Sequence, residues 1–223
     1  MDSFLAGLER AWWSVDLPGV RPHPVARATY SAFDWRLLPP MPGWVTDGYA
    51  WLASSPMPEE STLAQASDGV QRDIGDWDAW AEHGSGSLVP QEFVRFARSL
   101  GLRRHLRSPT WCVFDLGDHS VEVTGGRLIH FLSDSQWVLH WLLFVGDSGA
   151  QAVVTTAFPA GFELPPDVLE LYADTAGYEI CADTFLEFIW RFWIENEIWF
   201  KLSLEKQPLT PAQADYVKHY EAT

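Results

Sequence analysis

Residues 183–202 read DTFLEFIWRFWIENEIWFKL, about five helical turns with apolar side chains on nearly every side. Charged and amide side chains interrupt the stretch too often for a membrane span, yet it is too apolar to lie bare in water. Some other surface has to cover it. Asp183 and Thr184 are good cap residues, and Thr184 with Glu187 has capping-box spacing, so the start is well marked. At 100° per residue, Phe185, Phe188, Ile189, Phe192, Trp193, Trp199 and Phe200 form one broad apolar face. Glu187, Arg191 and Glu195 follow at i,i+4, as do Glu197 and Lys201, which marks a wetter face. Beside that ladder Trp190, Ile194 and Ile198 make a second apolar row. Two covers are open for it: a segment of the same chain, or a partner protein held by Trp190, Ile194 and Ile198 with Glu187, Glu195 and Glu197.

The chain is long enough for a substantial core and for one to two domains. Its net charge of −15 argues against nucleic acid or an anionic membrane as the main ligand. Most of that charge sits in residues 128–223, which hold 14 acidic and 4 basic side chains, a net of −10. Such a half would speed association with a basic partner, although solubility alone also accounts for it. Cys112 and Cys181 are the only cysteines, and the N-terminus has no secretory pattern, so free thiols and a cytoplasmic setting are expected. Thirteen tryptophans are dispersed without a period, which disfavours a repeat array and favours core or interface anchors.

A short helix is expected over 3–13, with Phe4, Leu5, Leu8 and Trp12 on one side. Residues 18–58 carry eight of the fifteen prolines, interleaved with aromatics, and read as extended pieces and turns laid on a core. The run EHGSGS at 82–87 reads as a loop. From Pro90 a helix is clear: Phe93, Phe96, Ala97 and Leu100 recur at i, i+3, i+4 and i+7, and Gly101 stops it. Strands are then expected at 111–116, 119–124, 127–133, 137–145 and 150–157. Gly125-Gly126 is a hairpin turn, and the strand at 137–145 is apolar on both faces and therefore central. A short helix follows at 164–172, and a last helix begins at Thr210-Pro211. The fold class is α+β: an antiparallel meander sheet of about five to six strands packed on helices, with an irregular Pro/Trp-rich N-terminal extension.

Candidate chemistry is thin. His130, Asp134 and His140 form a two-histidine, one-carboxylate group without a third close ligand at motif spacing, so no metal is expected there. The same three residues, with Cys112, are the best catalytic candidates. Cys112, Asp115 and His119 imitate a nucleophile, an orienter and a base on facing hairpin strands, but no cysteine signature surrounds them. No phosphate loop, nucleophile elbow, CxxC pair or HExxH helix occurs, and no cofactor is expected. Arg95, Arg98, Arg103, Arg104 and Arg107 form one basic cluster, an anion grip or simply the cations that complement a helix C-terminus.

The LVPQEF run at 88–93 with Phe96 is similar to an "LP-x-x-F-x-x-F" motif. With FLSDSQWVLHWLLFV at 131–145 and ICADTFLEF at 180–188, it makes residues 88–202 resemble the SUKH superfamily of immunity proteins and yeast cell-wall regulators. The resemblance implies an α+β core at 88–223, with residues 1–87 as a helix and extension packed on it. It also implies a binding role without shared catalytic residues. On that basis the expected function is a non-enzymatic protein-binding domain, an immunity protein against a basic toxin. A homo-oligomeric structural or regulatory component, and an enzyme using His130, Asp134 and His140, are the alternatives.

Overall fold

The structure, a computed structural model, describes residues 4–17, 19–21, 25–27, 30–61, 63, 89–116, 120–157 and 177–221. The expected loop at 82–87 and helix at 164–172 lie outside them. The fold is α+β, with a largely antiparallel sheet, as the pattern predicts.

Ten strands are present among the described residues: β1 Glu9–Arg10, β2 Trp12–Val15, β3 Val25–Arg27, β4 Tyr30–Phe33, β5 Val113–Phe114, β6 Ser120–Val123, β7 Gly126–Ser133, β8 His140–Gly146, β9 Gln151–Thr156 and β10 Glu179–Ala182. Seven form the main sheet in the order β1-β10-β9-β8-β7-β5, with β6 also paired to β7. β8 is buried along its whole length between β7 and β9, which is where its two apolar faces belong. The β6–β7 hairpin turns at Gly125, whose φ of 82° suits glycine. Gly126 is needed for another reason: a Cβ there would meet Val145 O at 2.4 Å and Gly146 Cα at 2.8 Å. Backbone approaches backbone at that point, so no side chain fits.

Two strands of this sheet were not expected. β10 precedes the long helix, and β1 joins β10 in parallel, Glu9 opposite Glu179. The predicted helix over 3–13 is accordingly replaced by a single 3₁₀ turn at Leu5–Gly7 and the strands β1 and β2. The apolar spacing was compatible with a helix, but the free edge of β10 and the aromatic pair Trp12-Trp13 favour extended chain. β2 pairs with β4 and β4 with β3 in a second, three-stranded antiparallel sheet.

Five α-helices accompany the sheets among the described residues: α1 Ala50–Ala53, α2 Gln91–Arg98, α3 Leu100–Arg103, α4 Phe185–Trp199 and α5 Pro211–Glu221. α4 is the apolar helix expected within 183–202. Thr184 Oγ1 accepts from Glu187 N at 3.1 Å, the expected cap, while Glu187 Oε2 reaches back one residue past the cap to accept from Asp183 N at 3.2 Å. Its end loosens into a π-helical turn, Phe200–Glu205, closed by Lys206 in the left-handed region. Phe185, Phe188 and Phe192 face the main sheet. Phe131 lies 5.2 Å from Phe185 between ring centroids, and Trp141 lies 6.0 Å from Phe188. The opposite sheet face carries a smaller apolar cluster of Leu128, Leu142, Phe144, Ala152, Val154 and Ile180, onto which Phe4 stacks at 5.3 Å from Phe144.

Candidate functional site

The second row of α4 is closed by the chain itself. Trp190, Ile194 and Ile198 are all buried. Trp190 meets the Tyr216 ring of α5 at 5.6 Å, and Arg191 Nη1 donates to Pro39 O at 2.9 Å from the proline-rich N-terminal stretch. Trp193 packs at 5.1 Å on Trp51, the first described ring in from Trp44. Glu195, expected on the wet ladder, is fully enclosed. Its carboxylate accepts from Trp12 Nε1 at 2.7 Å and from Tyr216 Oη at 2.6 Å, and it forms an ion pair with the buried guanidinium of Arg21. Glu187 and Glu197 are half-buried and occupied, Glu187 by Arg191 at 3.0 Å and Glu197 by both Nε and Nη2 of Arg107. The six residues therefore line an internal seam, not an open face. Their i,i+4 spacing mimics a solvent ladder because spacing carries no information about which remote segments arrive.

His130 and His140 do come together, with Ser133 between them. The cause is a bulge: the β7–β8 register slips between His130 and Leu132, which puts His130 on the same face as Ser133 and its partner His140. Ser133 Oγ lies 2.8 Å from His130 Nε2 and 2.9 Å from His140 Nδ1, and His140 Nε2 lies 3.2 Å from Trp137 O. A carbonyl only accepts, so His140 Nε2 donates, its Nδ1 accepts from Ser133, and Ser133 accepts from His130. The chain of hydrogen bonds thus has one direction with both imidazoles neutral. Burial, and then the neighbouring His130, push His140 down to about 4; burial likewise lowers His130. An imidazole that weak is a poor general base at neutral pH. Asp134 does not join this group. Its Oδ1 accepts from Val138 N at 2.8 Å and Leu139 N at 3.3 Å and organises the turn into β8.

The pH consequence has a definite sign. In the unfolded chain His140 titrates near the ordinary 6.5 and in the fold near 4, so protons bind the unfolded state preferentially between these values. The stabilisation is complete above the unfolded value and is lost as pH falls toward 4. Urea unfolding should therefore weaken by about 3 kcal/mol across that window. His140→Gln should flatten the profile, and an unchanged profile in that variant would assign the acid sensitivity to other groups.

The strands that flank the candidate group of Cys112, Asp115 and His119, β5 after Cys112 and β6 from Ser120, do not pair with each other. β5 and β6 both pair with β7, Val113 opposite Ser133 and Ser120 opposite Ile129, so they run end to end along one neighbour. His119 itself lies outside the described residues. Cys112 is buried beside Thr110 Oγ1 at 3.3 Å and Tyr30 Oη at 3.5 Å, and burial raises its thiol, which makes it a packed apolar group and not a nucleophile. The arginine cluster resolves in the same direction. Arg103 caps the end of α2 by donating to Ala97 O and Phe96 O and lies over the Phe114 ring at 4.9 Å. Arg107 is neutralised by Glu197 and Glu205 while it covers Phe200 at 4.1 Å. Among the described residues no three of His, Cys, Asp and Glu gather closely enough to hold a metal ion.

What the pattern reading missed is an exposed aromatic end. Trp111 and Trp137 are 54 % and 51 % exposed, and both have left-handed backbone, φ 55° and 59°. Each closes a turn in the same way. Trp111 N donates to Ser108 O and Trp137 N to Asp134 O, both at 3.1 Å. The two turns touch, because Ser135 Oγ donates to Thr110 O at 3.0 Å. A bulky residue held at positive φ costs about 1 kcal/mol or more, a penalty that glycine would avoid. Loop 104–112 gathers further exposed apolar groups around itself. His105 Nδ1 donates to Ser55 O at 2.9 Å and Ser61 Oγ to Arg103 O at 2.9 Å, which brings in Met57; Arg107 brings in the π-helical turn with Leu202 and Leu204. The only sequence signal was the turn chemistry of Ser-Pro-Thr-Trp and Asp-Ser-Gln-Trp.

No helix among the described residues is long and apolar enough to cross a membrane. Compared with protein-family models, curated proteins and solved structures, the chain finds no match.

Proposed function

We propose that this chain is a non-catalytic protein-binding domain that meets its partner at the aromatic end around Trp111 and Trp137. The observation that carries the reading is the pair itself: two half-exposed indoles in left-handed backbone, on two loops that hydrogen-bond to each other. Tryptophan is the residue most enriched at binding hot spots, and strain kept at an exposed position points to use. Exposed Met57 lines the same cleft as Trp111 and extends the apolar area beyond an isolated surface residue. The net charge of −15 favours a basic partner. The resemblance to the SUKH superfamily supports the finer form of the reading, a cytoplasmic immunity protein that neutralises a basic toxin by covering its active surface.

The His130–Ser133–His140 chain supports the enzyme alternative less well, since Ser133 is buried and its base is weak at neutral pH. The test is co-expression with toxin-like reading frames neighbouring the gene. The wild type should protect cells and bind the toxin. Trp111→Gly and Trp137→Gly should each lower affinity at least about tenfold while the melting temperature holds or rises, because glycine relieves the backbone. A protein that binds undiminished with both indoles removed, or that protects against none of those toxins, would overturn the reading.

A further inference from the structure

Trp111 forms one wall of an open cleft of ≈ 540 Å³, lined also by Met57, Pro58, Glu59, Glu60, Ser61 and Arg104. The shape and position of the cleft follow from the chain. Ser61 Oγ donates to the carbonyls of Arg103 and Leu106, and His105 holds Ser55 O, so residues 55–61 are tied alongside loop 103–106. The left-handed turn at Trp111 then leaves its indole exposed at the rim.

The electrostatics are specific. Glu59 and Glu60 are exposed, and neither makes an ion pair among the described residues. Of the arginines at 103, 104 and 107, Arg103 is turned onto the carbonyls of α2 and Arg107 is held by Glu197 and Glu205. Among the described residues that line the cleft, Arg104 is the one cation beside the two carboxylates. The lining also offers the Trp111 indole and the apolar bodies of Met57 and Pro58.

Resting on the protein-binding reading above, we propose that this cleft takes an arginine or lysine side chain from a basic segment of the partner protein. The cation stacks over the Trp111 indole, where the ring quadrupole attracts it. Its charge is met by Glu59 and Glu60, and its aliphatic stem lies along Met57 and Pro58. Arginine fits better than lysine, since a planar guanidinium stacks on the ring and reaches two carboxylates together. An anionic ligand at Arg104 is disfavoured by the same two carboxylates and by the charge of the whole chain.

The test uses the full chain, labelled with ¹⁵N, and follows the Trp111 Nε1–H resonance, assigned by its absence in Trp111→Phe. The titrants are an eight-residue peptide alternating arginine and glycine, its citrulline counterpart, and inorganic phosphate. The arginine peptide should shift that resonance and saturate, and Glu59→Gln/Glu60→Gln should weaken it about tenfold. Arg104→Gln should tighten it about threefold, and salt raised from about 50 to about 300 mM should weaken it severalfold. Equal response to the citrulline peptide, response to phosphate in its place, or indifference to the Glu59/Glu60 change would overturn the proposal. So would a wild type that sediments as a dimer and becomes a monomer on Trp111→Gly, since the occupant would then be a second copy. If the peptide fails while the tryptophan variants still lose toxin binding, the cation assignment falls and the binding reading stands.

Discussion

Glu195→Ala is expected to lower the unfolding free energy by about 4 kcal/mol, because it leaves the Arg21 guanidinium buried without its counter-charge. Burial opposes a charged Arg21, yet the charge of Glu195, with Tyr220 and Tyr216 nearby, outweighs that cost and raises it above its ordinary value. Burial and the same carboxylate push Tyr220 up to about 12. The guanidinium lies over the rings of Phe33 and Tyr220, 5.2 and 5.6 Å from their centroids, so water does not replace the lost partner. Trp12 Nε1 and Tyr216 Oη would lose their acceptor together with it. Arg21→Met should be similarly costly, since it strands the carboxylate. The double variant Arg21→Met/Glu195→Gln should recover more than half of the loss, as an amide oxygen still accepts a donor and no charge is buried. Urea unfolding of the wild type, Glu195→Gln, Arg21→Met and the double variant measures this coupling. Additive single losses would show that the pair contributes packing and no electrostatic linkage.

Phe188→Ala is the second large effect, again about 4 kcal/mol, from a cavity at the centre of the aromatic layer. Phe188 is fully buried and contacts four rings: Phe131 at 5.5 Å, Trp12 at 5.8 Å, Phe192 at 5.8 Å and Trp141 at 6.0 Å. These rings come from β2, β7, β8 and α4 itself, so the gap cannot close by moving one element. Phe188→Leu keeps most of the volume and should cost only about 1.5 kcal/mol. A loss below about 2 kcal/mol for Phe188→Ala, read as a shift in urea midpoint at constant slope, would mean that the layer repacks.

The elements visible in the sequence are those with local chemistry. Thr184 with Glu187 marks the start of α4, Gly125-Gly126 marks the hairpin, and the doubly apolar run in 137–145 marks the central strand. The elements that were hidden depend on distant partners. β1 is a strand because β10 offers a parallel edge, and two residues carry no period of their own. β5 and β6 looked like a hairpin because a short turn joined them, whereas the long β7 accommodates both along one side. Glu195 had the spacing of a surface charge and the environment of a core one, decided by Trp12, Arg21 and Tyr216. The aromatic end was hidden for a related reason. Backbone sign at Trp111 and Trp137 has no residue-type signature when the residue is not glycine, so both read as ordinary strand or turn aromatics.

The pairing of Glu9 with Glu179, and the sealing of α4 by both Trp12 and Tyr216, order events in time as well as in space. Closing the sheet edge joins Glu9 to Glu179 across a long loop, so its loop-closure entropy is spent late, and slow folding is the expected result. On a ribosome, β1 waits unpaired until β10 has emerged, whereas β2 can pair early with β4, and the aromatic flank of α4 waits for α5. The nascent chain therefore carries the β1 edge and the Trp12 ring uncovered until β10 and α4 are made, and chaperone depletion should lower its yield more than that of a meander with local contacts alone.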